Sequence, residues 1–330
     1  MTGPVPGGDR GGVVTLGETM ALLTPDGRMA AGSSMRIGIG GAESNAAIGL
    51  ARLGCDVTWI GRVGDDDLGT AVLREIRAEG VRVVADRDPH APTGLMLKEV
   101  RGGRPSRVRY YRSSSAAARW RPEDLDHVTG RIAGAATLLV TGITAALGPG
   151  PRAVLTRAIA VARDAGVEVV LDVNHRRSLW TDEQAREVLG GLLTDVDVVL
   201  GGADEAAMLL GRAAGAETVE RGAELAAGLR TLGPATVVVK LGALGALADG
   251  KDGPSYVPTR PVTVVDPVGA GDAFAAGLLA ARIEGAALPE QIALGNACGG
   301  AVCEVPGDWE GLPTRAELAR APGSRTSVTR

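Results

Sequence analysis

The sequence predicts an α/β fold built on a mainly parallel central sheet, and three observations carry that prediction. Aliphatic, strand-like runs alternate with amphipathic or Ala-rich stretches from residue 13 to about residue 321, the order that produces parallel strands joined by crossover helices. Aromatic residues make up only 2% of the chain, so Val, Leu, Ile and Ala must fill the interior, which suits strands covered on both faces. Two glycine turns, GIGGAESN and DPVGAGDAF, each run directly into an apolar helix. At 330 residues the chain is long for one domain, yet α/β enzymes with one continuous sheet reach this size, so a single domain over 1–330 is expected.

The elements follow in order. The first strand is 13–17, VVTLG. Segments 21–27 (ALLTPDG) and 34–39 (SMRIGI) read as hairpin strands, as do 93–100 (TGLMLKEV) and 106–112 (SRVRYYR). Between these pairs, residues 38–54 turn on glycines into a helix that repeats Ala47, Ile48, Leu50 and Leu53 at helical spacing. Glu43, Ser44 and Asn45 occupy its first turn, where polar side chains can face a ligand. VTWIG (57–61) is the next strand and LGTAVLREIRAEG (68–80) an amphipathic helix. The pattern continues with strand 137–142, helix 151–166, and strands 167–173, 196–201 and 235–242. Ligands of such sheets lie beyond the C-terminal ends of the strands. Asn174, His175 and Arg176 emerge at that edge from LDVNHRRSLW.

Two segments carry chemistry on their own residues. In SRVRYYR, alternation sends Tyr110 and Arg112 to one face and Tyr111 to the other. A planar guanidinium grips a carboxylate with two bonds, so this face is a candidate for recognising an acid; a solvated face with Arg112 paired to a surface acid is the alternative. In DPVGAGDAF, a strand at 262–265 (VTVV) is expected to feed a glycine turn and a helix. Such a junction aims backbone N–H groups and the positive end of the helix dipole at one spot, which holds an anion. Asp272 stands inside that anion site. A carboxylate is tolerated there if it takes a proton from a group attacking the bound anion, so the pair points to phosphoryl transfer to an alcohol. Gly269, Ala270 and Gly271 would steady the moving phosphoryl and Asp272 would act as base. The plainer alternative is a strand-to-helix turn in which Asp272 caps the helix.

Composition narrows the partners. The net charge of −4, with acids and bases interspersed and no basic stripe, argues against nucleic acid. Cys55, Cys298 and Cys303 lack metal-ligand spacing and read as buried thiols in a reducing cytoplasm. No apolar run approaches membrane-spanning length and the first residues lack the apolar core of a signal peptide, so a cytoplasmic protein is expected. Both ends, 1–12 and 322–330, are expected to be disordered.

Together the two glycine segments resemble the paired signatures of the PfkB family of carbohydrate kinases: a GG turn with a following Asn before a helix ending in LG, and GAGD near the C-terminus. The resemblance extends from about residue 13 to about residue 310. It implies a ribokinase-like three-layer sandwich in which segments 19–39 and 93–114 form a small β-sheet lid over the sugar. It also implies ATP and Mg²⁺ as cofactors, and a homo-oligomer is expected. YYR followed by SAA, and DVNHRRSLW, are similar to elements of 2-keto-3-deoxygluconate kinases within this family. By that likeness Gly41, Ala42, Glu43, Ser44, Asn45, Met96, Tyr110, Arg112 and Arg176 would line the substrate, and Asn174 and Arg176 would lie between nucleotide and sugar acid. His175 stands where the family has Tyr and gains no catalytic role. KLGALG resembles the loop against adenine and ribose, giving Lys240, Gly242 and Gly245 to the nucleotide. Glu205 would order water around Mg²⁺, although the amide three residues before it in the family is here Gly202.

Departures shape the substrate. Ribokinases and fructokinases carry a sugar-binding Asp where this chain has Leu22, and Met96 replaces a Tyr common in sugar acid kinases. The resulting expectation is an ATP-dependent kinase acting on a primary hydroxyl of a sugar acid, 2-keto-3-deoxygluconate first. A kinase for fructose, ribose or a nucleoside is the alternative within the family, and a non-catalytic sugar or nucleotide sensor the alternative outside it.

Overall fold

The computed structural model describes residues 11–101 and 104–320. Its strands run in chain order β1 (Val13–Leu16), β2 (Met20–Pro25), β3 (Met35–Gly40), β4 (Val57–Gly64), β5 (Arg82–Asp88), β6 (Leu95–Arg101) and β7 (Arg104–Tyr111). After these come β8 (Thr137–Thr141), β9 (Glu168–Asp172), β10 (Val198–Gly202), β11 (Thr236–Lys240), β12 (Ala246–Gly250) and β13 (Gly253–Val257). Nine strands form the main sheet in the order β13-β12-β11-β10-β9-β8-β1-β4-β5. Neighbours pair in parallel from β5 to β11, and the two steps to β12 and β13 are antiparallel.

Burial on both faces explains the unbroken apolar runs. In β9, Val169 and Leu171 pack into the layer with Leu138, Leu155 and Trp120, while Val170 between them packs into the opposite layer with Ile48, Trp59 and Leu278. Each such aliphatic side chain contributes about 1.5–3 kcal/mol by leaving water. The helices Ala42–Arg52 and Ala270–Ile283 lie against each other in the second layer, and Ala276 approaches Gly49 so closely that a Cβ there would stand 2.7 Å away. This contact places the first turns of the two glycine-led helices side by side.

A separate four-stranded sheet has the order β3-β2-β6-β7. The two expected hairpins are joined through a parallel pairing of β2 with β6, Leu22 opposite Met96. Met20, Leu22, Met96 and the half-buried Val108 form its own apolar cluster.

The structure corrects several expectations. Residues 262–265 are not a strand: Val264 and Val265 are 61% and 53% exposed, and the main sheet already ends at β13. Their β-branched run copies the composition of a strand without a neighbour to pair with. The strand β5 went unread because its sequence, RVVADRD, is charged and half exposed, as edge strands commonly are. Of the cysteines, Cys298 is buried, but Cys55 and Cys303 are only partly so. The disorder expected at 1–12 and 322–330 lies outside the described residues except at Gly11 and Gly12. Among the described residues no helix is long and apolar enough to cross a membrane.

Candidate active site

The C-terminal edge of the parallel strands supplies the polar groups. The strand β9 ends at Asp172 and β11 at Lys240, whose ammonium donates to both Asp172 carboxylate oxygens at 3.0 and 3.2 Å. Burial alone would push the Lys240 ammonium down, but the facing Asp172 carboxylate, with Glu205 beyond, holds it above its ordinary value. After β9 the chain turns through Asn174 at φ 40°, a left-handed conformation that Asn tolerates better than most residues. This turn aims the Asn174 side chain at Asp272, Nδ2 donating to Oδ1 at 3.1 Å. From the other side Asn45 Nδ2 donates to Asp272 Oδ2 at 2.9 Å.

Asp272 is thus held by two amides in the first turn of the helix Ala270–Ile283. Burial pushes its carboxyl up to about 7, against the Asn45 hydrogen bond and the Arg176 charge, which pull it down. The first N–H groups of a helix have no acceptor within it, so this turn offers free donors beside the carboxylate. Gly269 caps the helix at φ 81°, and a Cβ there would stand 1.8 Å from the Asp308 carbonyl oxygen. Only glycine satisfies both the conformation and the approach.

Two cavities meet at this point. The first lies under the small sheet and is lined by Glu18, Met20, Gly41, Ala42, Asn45, Met96, Tyr110, Arg112, Arg176 and Asp308 among others. The second lies over the strand ends and is lined by Asn174, Gly202, Glu205, Lys240, Pro267 and Gly271. Tyr110, Arg176, Val268, Gly269 and Asp272 border both. A group attacking from the first cavity and an anion lying in the second would therefore face each other across Asp272.

Most of the expected residues converge here, and several do not. Glu43 and Ser44 are fully buried behind the site. Thr141 and Thr144 donate to Glu43 Oε1 at 2.6 and 2.8 Å, and Ser44 bonds the Gly41 carbonyl. Burial keeps the Glu43 carboxyl above its ordinary range despite the two threonines. Both residues hold the turn rather than face a ligand. Ala270 lies between the lining glycines and borders neither cavity. Gly242 and Gly245 lie outside the second cavity; Gly245 has φ 105°, and a Cβ there would meet the Val257 carbonyl at 2.3 Å, so its need for glycine comes from packing the turn before β12 against the end of β13.

Arg112 also differs from expectation. It lines the first cavity, yet its guanidinium already holds the buried Glu18, Nε at 2.7 Å and a terminal nitrogen at 2.6 Å from Oε2, while Ser115 donates to Oε1 at 2.5 Å. The arginine brings its own counter-charge. Arg176, by contrast, is exposed to both cavities and makes no ion pair among the described residues. Glu18 follows the first strand's glycine in the sequence, but nothing there linked it to Arg112. Asp308, in a loop near the C-terminus, carried no local signal at all.

Glu205 lines the second cavity and accepts the backbone N–H of Gly202 and of His175, both at 2.6 Å, so each oxygen retains a lone pair. Among the described residues no three His, Cys, Asp or Glu side chains are grouped to hold a metal directly. A Mg²⁺ fits this donor set only through phosphate oxygens and water, with Glu205 behind them. His175 faces Asp182 at 2.9 Å and packs near Trp180, away from the reacting centre.

The chain also resembles known proteins along most of its length. The pattern of the pfkB family carbohydrate kinase matches residues 11–315. The chain is 36% identical to a 2-dehydro-3-deoxygluconokinase of Bacillus subtilis over 93% of this chain and 94% of that one. It is 36% identical to a PfkB protein of Polaromonas sp. JS666 in a superposition covering 94% of this chain and 99% of that one, with a TM-score of 0.82. A ribokinase II of E. coli in complex with ATP and Mg²⁺ shares the fold at a TM-score of 0.82 and 22% identity, covering 93% and 97%.

Proposed function

The chain belongs to the pfkB family of carbohydrate kinases, and on that footing we propose that it transfers the γ-phosphoryl of ATP to a primary hydroxyl of a 2-keto-3-deoxy sugar acid, 2-keto-3-deoxygluconate first. The observation that carries this reading is the meeting of two cavities at Asp272, Gly269 and Arg176. The sugar acid would occupy the first and the triphosphate the second. Asp272 takes the hydroxyl proton as the oxygen attacks, and its carboxyl, pushed up to about 7, is basic enough to accept one near neutral pH. Asn45 and Asn174 fix the carboxylate in line with the attack. The N–H groups of Gly269, Gly271 and Asp272 receive charge that develops on the phosphoryl oxygens, while that of Ala270 already donates to the Pro267 carbonyl at 3.3 Å. Arg176 borders both cavities and so can meet the transferring group and the substrate carboxylate together. Bound Mg²⁺ would neutralise phosphate charge, and Glu205, which lines the second cavity, would hold it through water.

The small sheet forms one wall of the first cavity through Met20, Met96 and Tyr110, with Arg112 directly after β7, which supports its reading as a lid. A second substrate reading has one observation in its favour. Because Glu18 neutralises Arg112, Arg176 alone is left to attract an acid, and a neutral sugar such as fructose remains a competitor. ADP release measured against a panel of sugar acids and neutral sugars decides between them, and no release with any of them would sink the kinase reading. Cytoplasmic location and a homo-oligomeric state complete the proposal, the latter tested by light scattering of the purified protein.

A further inference from the structure

We propose that Lys98 is a positioning residue that ties the lid strand β6 to the turn supplying the anion hole, an inference that rests on the kinase reading above. Its Nζ lies 2.7 Å from Asp308 Oδ1 and 3.6 Å from Asp266 Oδ2, and all three side chains are buried. Asp266 opens the turn: its Oδ1 accepts the Val268 N–H at 3.2 Å, one residue before Gly269. Asp308 lines the first cavity, and its carbonyl oxygen occupies the space that a Gly269 Cβ would need. The neighbouring Trp309 adds a second tie, its indole N–H donating to the Ile39 carbonyl of β3 at 3.2 Å. One ammonium on the lid therefore touches both the carboxylate ordering the anion-hole turn and the carboxylate facing the substrate.

The charges make this link directional. Two buried carboxylates share one cation, and Asp266 Oδ2 has no hydrogen-bond partner. A lid shift of roughly 0.7 Å would bring Nζ to charge-assisted hydrogen-bond length from that oxygen. Closing over a substrate would then firm the turn that receives the phosphoryl. Without Lys98, the charge-assisted tie between β6 and the turn would be lost and two buried carboxyls would be left without their cation, an arrangement that costs stability.

The test compares Lys98→Met and Lys98→Arg with the wild type by steady-state kinetics and by amide hydrogen exchange. Lys98→Met should lower kcat tenfold or more while the KM for ATP stays within twofold, and should speed exchange in both 95–101 and 264–272. Lys98→Arg should recover at least half of the lost kcat, which a purely structural defect would not separate from KM. If Lys98→Met fails to fold, the Lys98→Met/Asp266→Asn pair, with the charge excess reduced, is read in the same way. Turnover within twofold of wild type, or faster exchange in 95–101 with 264–272 unchanged, would overturn the proposal. Hydrogen exchange needs no turnover, so a wild type that phosphorylates neither sugar acids nor neutral sugars would defeat the kinase reading while still deciding whether Lys98 joins the two segments.

Discussion

Asn45 and Asp272 stand 227 residues apart in the chain, and their side chains meet at 2.9 Å, Asn45 Nδ2 donating to Asp272 Oδ2. The contact exists because the helices that carry them pack along small residues, Gly49 against Ala276, so that both first turns open onto the same cleft. Asn174, reaching in from the end of β9, completes the grip at 3.1 Å. A carboxylate gripped from two sides keeps its aim as protonation changes.

The first expectation concerns the proton. Asp272→Asn should keep ATP affinity, measured by calorimetry, while turnover falls by about 10²–10⁴, the span of a general base contribution. Turnover near that of the wild type would remove Asp272 from the role of base.

The pH profile offers an independent check. A base works only when deprotonated, and burial raises the Asp272 carboxyl to about 7. Activity, followed as kcat/KM, should therefore rise with pH along an acid limb centred near 7. Asn45→Ala removes a donor that favours the anion, so the carboxyl should climb further and the limb should move to higher pH. A limb that stays in place would mean that another group governs it.

Gly269→Ala tests the anion hole. The added Cβ would collide with the Asp308 carbonyl, 1.8 Å away, and force a positive φ on a residue that resists it. Strain of this kind costs about 1–3 kcal/mol, and a turn pushed out of place withdraws preorganised donors, a loss of roughly 10²–10³ in turnover for one donor. A melting curve and a kcat measured together should show a modest stability loss beside a large activity loss. Equal, small losses would mean that the turn merely links two elements.

The main features of the fold were legible in the sequence because they rest on local pattern. The buried strands β8 to β11 announce themselves as unbroken aliphatic runs, and the glycine-led helices as turns followed by apolar spacing. The strand expected at 262–265 failed for the same reason in reverse, since composition alone cannot reveal whether a partner strand exists. In the site, Asp272 and Asn45 stood out because special backbone and polar residues coincide at one turn. Glu18, Lys98 and Asp308 did not, because their meaning lies in pairings across 94 and 210 residues that only the folded chain creates.

The Glu18–Arg112 pair yields a stability expectation. Both side chains are buried and each supplies the other's counter-charge. Arg112→Ala would leave the Glu18 carboxylate with Ser115 alone, and breaking one side of such a pair typically costs 3–5 kcal/mol, roughly, in unfolding free energy. Glu18→Gln/Arg112→Met, which removes both charges at similar volume, should cost markedly less. Denaturant melts of the two variants separate these outcomes; equal losses would show that packing, rather than charge, is what the pair contributes.

The last expectation concerns the acid group of the substrate. With Arg112 already satisfied by Glu18, discrimination for a carboxylate falls on Arg176, which is exposed to both cavities and makes no ion pair among the described residues. A neutral sugar gives that guanidinium nothing to bind. The wild type should therefore favour 2-keto-3-deoxygluconate over fructose and ribose by at least about a hundredfold in kcat/KM, equivalent to roughly 2.7 kcal/mol at 1.36 kcal/mol per tenfold. Arg176→Ala should lower kcat/KM for every substrate, since the side chain also borders the phosphoryl path, but it should lower it more for the acid and so shrink the ratio. If the ratio survives the substitution, the carboxylate is held elsewhere in the first cavity. If the wild type shows no such ratio at all, the acid preference is wrong and only the general kinase assignment stands.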